Sequence, residues 1–468
     1  TKCIIITLYA IIYALKVCYK ENRGEQMKNK GYGLFTTIAM IVGVVIGSGI
    51  FFKSDNILVA TGGNIGLGVI VFCIAAIAII FGGLAMGELA SRTTEPGGVI
   101  AYAEMCWDKR IACAFGWFMT FLYYPTLIAV VAYVAGIYLC MLFGINGSFE
   151  LQILIGLIVI VSLFFINTIS ARLGGIFQSA STIIKLLPLA IIAFAGLVFG
   201  NVDGLSLSNM SEGINSSGWI AAIAPIAFSF DGWTVSTSIG HEVRNSKRNL
   251  PRALIISPIL ILIIYILYFV GISIYLGPET IMALGDEHVY LAARNIFGHF
   301  GAKILLTFVV ISIIGTVNGL IIGMIRQPYS LAIRGMFPCK DKISKIDEKL
   351  YIPVNSAIVG FVISIFWLAI HYITTKLSMM GNSDISEISV AMSYLLYIIL
   401  YVKVLKFGIN KEIKSIFIGI ITPILAIIGA LIIVFGSMSN NLFWIFMIIC
   451  FSILCSGFVF WKRQEKSN

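Results

Sequence analysis

Ile46-Gly47-Ser48-Gly49-Ile50-Phe51 sits in the middle of an apolar stretch that runs from about Leu34 to Val59. A membrane span needs roughly 20 apolar residues to cross about 30 Å of hydrocarbon. The stretch is long enough to cross, and two glycines around a serine predict a break in its helix near mid-depth. In lipid, a broken backbone is tolerated only where it lines a cavity or is buried in protein. A second break is expected at Phe228-Ser229-Phe230-Asp231-Gly232-Trp233, inside a later apolar segment. Interrupted spans in corresponding halves of a chain point to a transport site at the bilayer midplane.

Composition agrees with that reading. The 468 residues are 59% hydrophobic and 12% charged, with a mean hydropathy of +0.99. Ordinary soluble domains carry about 25% charged residues, so the class is an all-α polytopic membrane protein. No long polar stretch leaves room for a large soluble domain, and a soluble enzyme is excluded. No Walker A loop, HExxH motif, catalytic carboxylate pair or nucleophile elbow is present. Neither a membrane enzyme nor an ATP-driven pump is therefore expected, and no cofactor is called for.

The net charge of +10 reports topology. Lys and Arg gather in short loops that share one side: Lys28 and Lys30; Arg92, Lys109 and Arg110; Arg172; Arg244, Lys247, Arg248 and Arg252. To these the second half adds Arg334, Lys340, Lys342, Lys345 and Lys349, then Lys403, Lys406, Lys411 and Lys414, then Lys462, Arg463 and Lys466. On the opposite side Arg294 and Lys376 are the main exceptions. This is the positive-inside pattern, and it assigns the basic excess to the cytoplasmic face rather than to nucleic acid. The cysteines at 3, 18, 73, 106, 113, 140, 339, 450 and 455 form no CxxC. They read as reduced packing residues, with no metal site.

Twelve spans are expected. The first six lie at about 33–60, 64–90, 113–143, 151–170, 173–200 and 218–240. The rest lie at about 253–276, 296–326, 353–371, 386–406, 413–435 and 441–461. An even count puts both termini on the basic, cytoplasmic side. The two breaks fall in spans one and six, and five crossings invert the next unit, which suggests inverted five-helix repeats over 33–200 and 218–406. Spans eleven and twelve, 413–461, would be additions. Residues 27–468 then form one permease-like domain. Residues 1–26 form an N-terminal extension, since the apolar run Ile4 to Leu15 is short for a span. The extension reads as dispensable, with an interfacial helix as the competing reading.

The chemistry concentrates at the breaks. A helix N-terminus carries unpaired N–H groups and partial positive charge, a ready site for a carboxylate, and Gly47 and Gly49 let a ligand approach the backbone. Simple helix packing by small residues is the alternative. Asp231 would lie near the bilayer centre, where ionisable groups face a cavity or a partner. The carbonyls of Phe228, Ser229 and Asp231 could accept from an ammonium group. The Asp231 side chain could equally cap the following half-helix. Phe228 and Trp233 could close over a ligand, or pack. Together the breaks offer anion donors and cation acceptors at one depth, which complements an α-amino acid zwitterion. Lys185, mid-way along span five, is a second candidate: its ammonium could satisfy carbonyls freed near Gly43 and Val44, the alternative being a lysine that snorkels to an interface. Ser312, Gly315, Thr316, Asn318 and Gly319 of span eight suit either a cavity wall or helix contacts. Tyr123, Tyr124 and Pro125 could bring a phenol to the cavity or mark a kink.

Five segments resemble the amino acid–polyamine–organocation superfamily, and within it the L-type amino acid transporters and their bacterial relatives that exchange serine and threonine. They are Ile46-Gly-Ser-Gly-Ile-Phe51, Glu95-Pro-Gly-Gly-Val-Ile-Ala-Tyr102, Phe228-Ser-Phe-Asp-Gly-Trp233, Asn249-Leu-Pro-Arg252 and Ser386-Glu-Ile-Ser389. The first and third together are specific to the family, and the resemblance runs from Met27 to the C-terminus. It implies a leucine-transporter-like 5+5 inverted repeat plus two helices, with spans one and six unwound. It implies carboxylate binding at Ser48, Gly49 and Ile50, within a binding segment Val45, Ile46, Gly47, Ser48, Gly49 and Ile50. Amino-group binding is implied at the carbonyls of Val45, Phe228, Ser229 and Asp231. Phe228 looks like the aromatic gate, with Trp233 and Tyr124 as further gate candidates. Lys185, with Gly43 and Ser312, looks like coupling or site architecture, and the lysine makes sodium coupling less expected. The implied activity is exchange of small neutral L-amino acids, with proton symport, a sensor or a channel as alternatives. The implied setting is a bacterial inner membrane with cytoplasmic termini. Members with a disulfide-linked heavy subunit carry a cysteine between spans three and four; the loop from Gly144 to Glu150 has none, so no such partner is expected.

Overall fold

The computed structural model describes residues 33–201, 218–350, 352–380, 384–438 and 442–467. The expectations for residues 1–26, Lys28 and Lys30 lie outside them. Among the described residues the chain is helical, with no strand.

The first apolar stretch is in three pieces, α1 (Leu34–Val45), α2 (Ser48–Phe52) and α3 (Ser54–Ala60). Then come α4 (Ile65–Arg92), the short α5 (Val99–Cys106), α6 (Lys109–Phe143), α7 (Phe149–Ile169) and α8 (Ala171–Phe199). The second interrupted stretch is α9 (Ile223–Phe230), followed after Asp231 and Gly232 by a 3₁₀ segment, Trp233–Glu242. It leads to α10 (Ser246–Leu276), α11 (Pro278–Leu284) and α12 (His288–Ile333). α13 (Lys340–Ile343), α14 (Val354–Lys376), α15 (Ile385–Ile409), α16 (Thr422–Ser437) and α17 (Phe443–Ser467) complete the chain. Among the described residues, ten helices are long and apolar enough to cross a membrane. The two interrupted stretches are not among the ten, because each is cut into pieces too short to cross alone.

Large apolar side chains stay exposed along the outer helices, among them Phe165, Phe194, Phe199, Phe366 and Ile448. In water such a surface would aggregate; against hydrocarbon it is at no disadvantage. Inside, α4 runs against α10 and α16, α6 against α7, α12 and α14, and α8 against α1, α10 and α12. Contacts recur between the halves: α6 on α7 has its counterpart in α12 on α14, and α1 on α8 in α9 on α15.

Local sequence explains the irregular points. Pro125 has no N–H to give to the carbonyl four residues back, and its ring crowds that carbonyl. The chain answers with a π turn, Met119–Tyr123, and Trp367 Nε1 donates to the released Phe121 carbonyl at 2.7 Å. On the basic side, Gly98 takes a left-handed φ of 55° and lies so near the 3₁₀ segment that a Cβ there would meet Thr237 Oγ1 at 2.3 Å. α12 starts earlier than the span expected at about 296–326, but Gly298, at φ 68° and ψ −176°, divides it into two helices. The expected start therefore marks the kink. The described cysteines are free thiols.

Candidate substrate-binding site

The break in the first stretch is two residues long. α1 ends at Val45, Ile46 is extended, and Gly47 takes φ −145° and ψ −132° before α2 begins at Ser48. The amides of Ser48, Gly49 and Ile50 thus head a new helical turn, the place where N–H groups lack intrahelical acceptors. In the second stretch α9 ends at Phe230, Asp231 is extended, and Gly232 turns left-handed at φ 90°. A side chain at Gly232 would be strained there.

The two breaks touch. A Cβ built on Gly49 would lie 2.7 Å from the Ser229 Cα, and one on Gly47 would lie 2.0 Å from Thr316 Oγ1 of α12. Between them is a small cavity lined by Val44, Val45, Gly49, Phe228, Asp231 and Gly232 of the two stretches, by Leu127 and Val131 of α6, and by Thr316 and Leu320 of α12. Its walls are apolar apart from the Thr316 hydroxyl, the Asp231 carboxylate and the backbone.

Asp231 is 6% exposed, and its Oδ2 accepts the Tyr123 hydroxyl at 2.6 Å. The π turn of α6 ends in that tyrosine and brings its phenol to Asp231, which lines the cavity. Tyr124, the phenol chosen from sequence as a gate, points elsewhere: its hydroxyl accepts from Gln327 Nε2 at 3.4 Å, and its ring lies against Gly323. Trp233 also departs from a gate role. It is fully buried, edge-on to Tyr397 at 6.0 Å, and does not line the cavity. Phe228 does line it. Ser312 sits one turn below Thr316, off the cavity wall, and its backbone carbonyl accepts the Thr316 hydroxyl at 3.4 Å. Ile46 and Ile50 are wholly buried beside the break. The Ser48 side chain lies outside the described residues.

Lys185 is buried, with no exposed surface, and its Nζ donates to the Gly43 carbonyl. That carbonyl is in the last turn of α1, where helix geometry leaves acceptors without intrahelical donors. α8 is thereby tied to the break, and Gly43 is pressed so close to α8 that a Cβ would meet Thr182 Oγ1 at 2.0 Å.

One site residue was not read from sequence. The Tyr265 hydroxyl of α10 lies 3.0 Å from the Val45 carbonyl and 2.8 Å from the Ser229 carbonyl, bridging the two breaks. It sits in the run Ile261 to Val270, which carries two tyrosines and no other polar residue; a tyrosine at mid-span was the available signal. Each carbonyl keeps a second lone pair. A Tyr265→Phe variant removes both contacts without emptying the space, and uptake is expected to fall about 5–10-fold, the size of one net hydrogen bond. Uptake of a labelled amino acid into proteoliposomes checks it. Among the described residues no cluster of His, Cys, Asp and Glu could hold a metal ion.

The amino acid permease family matches residues 32–454. The chain belongs to that family. Similar relatives of this permease include the serine/threonine exchanger SteT of Bacillus subtilis, 29% identical over 411 residues, which are 86% of this chain and 89% of that one. The mouse b(0,+)-type amino acid transporter 1 is 27% identical over 459 residues, 94% of this chain and 90% of the relative. The human cystine/glutamate transporter is 25% identical over 350 residues, 73% of this chain and 68% of the relative. The permease is thus a multi-pass membrane transporter of amino acids and not an enzyme.

Proposed function

We propose that this permease exchanges small neutral L-amino acids, of the serine and threonine kind, by sodium-independent alternating access. The substrate carboxylate is held by the amides of Ser48, Gly49 and Ile50, and its ammonium by the carbonyls of Val45, Phe228, Ser229 and Asp231. The single observation that supports this is the contact of the two breaks at Gly49 and Ser229, with a cavity between them. N–H groups and carbonyls at one depth suit a zwitterion, and the apolar walls suit an uncharged side chain. Phe228 acts as the aromatic gate. The Lys185 amine on the Gly43 carbonyl is a fixed cation-forming group at the break, which favours independence from sodium. The likeness to the serine/threonine exchanger points the same way for substrate and mode.

The experiment is counterflow in proteoliposomes. Exchange requires amino acid inside, and unlabelled serine or threonine outside should compete with the labelled substrate. Concentrative uptake driven by a proton gradient alone, with nothing inside, would replace exchange by symport. Sodium should leave the rate unchanged.

The interrupted stretches, added to the ten long helices, make twelve crossings in two inverted repeats of five, with the basic loops and both termini in the cytoplasm of a cell whose inner membrane holds the chain. Cys339, exposed beside Lys340, is the probe: an impermeant maleimide should label it in inverted vesicles at least about tenfold faster than in right-side-out ones. No disulfide-linked heavy subunit is part of this reading; Cys140, near the end of α6, is buried.

A further inference from the structure

Away from the cavity, cations and rings gather where the basic loops meet the ends of α4 and α15. Trp107, between α5 and α6, is 38% exposed. Its Nε1 donates to the Ile399 carbonyl of α15 at 3.2 Å, which holds the indole against that helix. Lys403 Nζ stands 5.6 Å and Lys406 Nζ 5.1 Å from the centre of the Trp107 ring. Lys403 Nζ is also 5.5 Å from the Phe407 ring, and the Arg92 guanidinium is 4.1 Å from the same ring. Arg92 pairs with Glu88 at 3.0 Å and with Glu412 at 3.3 Å. Among the described residues, no carboxylate pairs with either lysine. Asp108, next to Trp107, caps α6 and accepts from the Ile111 amide at 2.8 Å.

We infer that this corner binds an anionic phospholipid of the leaflet that meets the basic loops, with Lys403 and Lys406 on its phosphodiester and an acyl chain along α15. Three observations carry it. Two ammonium groups are gathered on one ring, and an anion between them relieves their repulsion. A ring is a weak counter-charge, whereas the neighbouring Arg92 has two carboxylates of its own. The corner also lies at headgroup depth. Lys403 and Lys406 are in the last two turns of α15, and Trp107 precedes α6, the level at which tryptophan and lysine meet the membrane interface. Finally, an apolar strip leads to it. Leu395, Ile398, Val402 and Leu405 share one face of α15 at helical spacing, and none of the four but Leu396's neighbours on the opposite face is fully covered by protein.

The two halves of the corner select the ligand together. A soluble anion meets the lysines and leaves the strip uncovered. A zwitterionic lipid covers the strip and brings its own cation to the lysines. A lipid with net negative charge satisfies both. Each lysine at such a surface raises the affinity for anionic lipid about fivefold. The indole, fixed on the Ile399 carbonyl, keeps both lysine stems on one side of α15.

The test counts bound lipid. The full chain in a nonionic detergent is titrated with dioleoyl phosphatidylglycerol and, separately, with dioleoyl phosphatidylcholine, and each bound molecule is read by native mass spectrometry. The parent should bind its first phosphatidylglycerol about 25-fold more tightly than phosphatidylcholine. Lys403→Gln with Lys406→Gln should lose that preference, while phosphatidylcholine binds both proteins alike. Lys406→Gln alone, at an exposed position, should lose about fivefold, and it stands in should the pair fail to fold. Lys340→Gln with Lys342→Gln removes the same charge from α13 and should leave the preference as it is. Inorganic phosphate in large excess should not displace the lipid. A preference within about twofold of the parent in the 403 and 406 variants overturns the site. An equal loss in the α13 variant overturns it too, because general charge then explains the binding. Displacement by phosphate would make the corner a site for a free anion and overturn the lipid.

Discussion

Lys185→Ala is expected to leave the protein folded and inserted and to reduce amino acid uptake about 10–100-fold, the equivalent of the 1.5–3 kcal/mol of a charge-assisted hydrogen bond. The side chain donates to the Gly43 carbonyl, and it does so across the boundary between α8 and α1. Alanine leaves the end of α1 with a carbonyl that nothing replaces, in a place with no exposed surface. The helices themselves keep their apolar packing, so size-exclusion behaviour and thermal stability should stay near the parent while transport falls. Lys185→Arg should not rescue it, since the guanidinium is larger and the site is close-packed. Parental transport in the alanine variant would take Lys185 out of the mechanism.

The second large effect is at the break itself. Gly49→Val should abolish amino acid binding, read as loss of the ligand-induced shift in melting temperature. The reason is specific: a Cβ at Gly49 meets the Cα of Ser229 at 2.7 Å, and that is backbone, which cannot rotate away. Either the two breaks separate or the cavity deforms, and both remove the paired donors and acceptors. Gly47 makes the control. A Cβ there meets the Thr316 side chain, with Oγ1 at 2.0 Å and Cβ at 2.8 Å. Gly47→Ala should therefore be rescued in part by Thr316→Gly, whereas no change at position 229 should rescue Gly49→Val. Equal rescue at both positions would mean that the clash at 49 is with the Ser229 side chain rather than with its backbone.

Much of the site was legible in the sequence because its parts break a strong pattern. Gly47 and Gly49 interrupt an apolar run, Asp231 and Lys185 are charges in hydrocarbon, and each departure needs a physical reason. The tyrosine that meets Asp231 was narrowed only to neighbours. Tyr123 and Tyr124 differ by one position, and the π turn forced by Pro125 decides which faces inward. A straight helix drawn from sequence carries no such rotation. Trp233 was over-read for a related cause: an aromatic residue beside a break looks like a lid, yet Gly232 turns the chain so that the ring packs on Tyr397. The roles of Tyr265 and Lys53 were not legible because their partners lie on other elements. Tyr265 bonds to backbone of two breaks 184 residues apart, Val45 and Ser229. Lys53 lies inside the first expected span, in the polar interval Lys53-Ser-Asp-Asn56, and only the fold brings Asp384 and Glu387 to it.

The stretch beyond Gly232 is wound more tightly than an α-helix. Ten residues, Trp233–Glu242, are 3₁₀, and at about 2.0 Å per residue they reach about 20 Å. Rewound at about 1.5 Å per residue the same ten would reach about 15 Å. That third of extra length is held without any added residue, next to Gly98 on one side and the substrate cavity on the other. A telescoping rod of this kind can shorten by about 5 Å and draw its far end inward, while the carbonyls at Phe228 and Ser229 stay where they are.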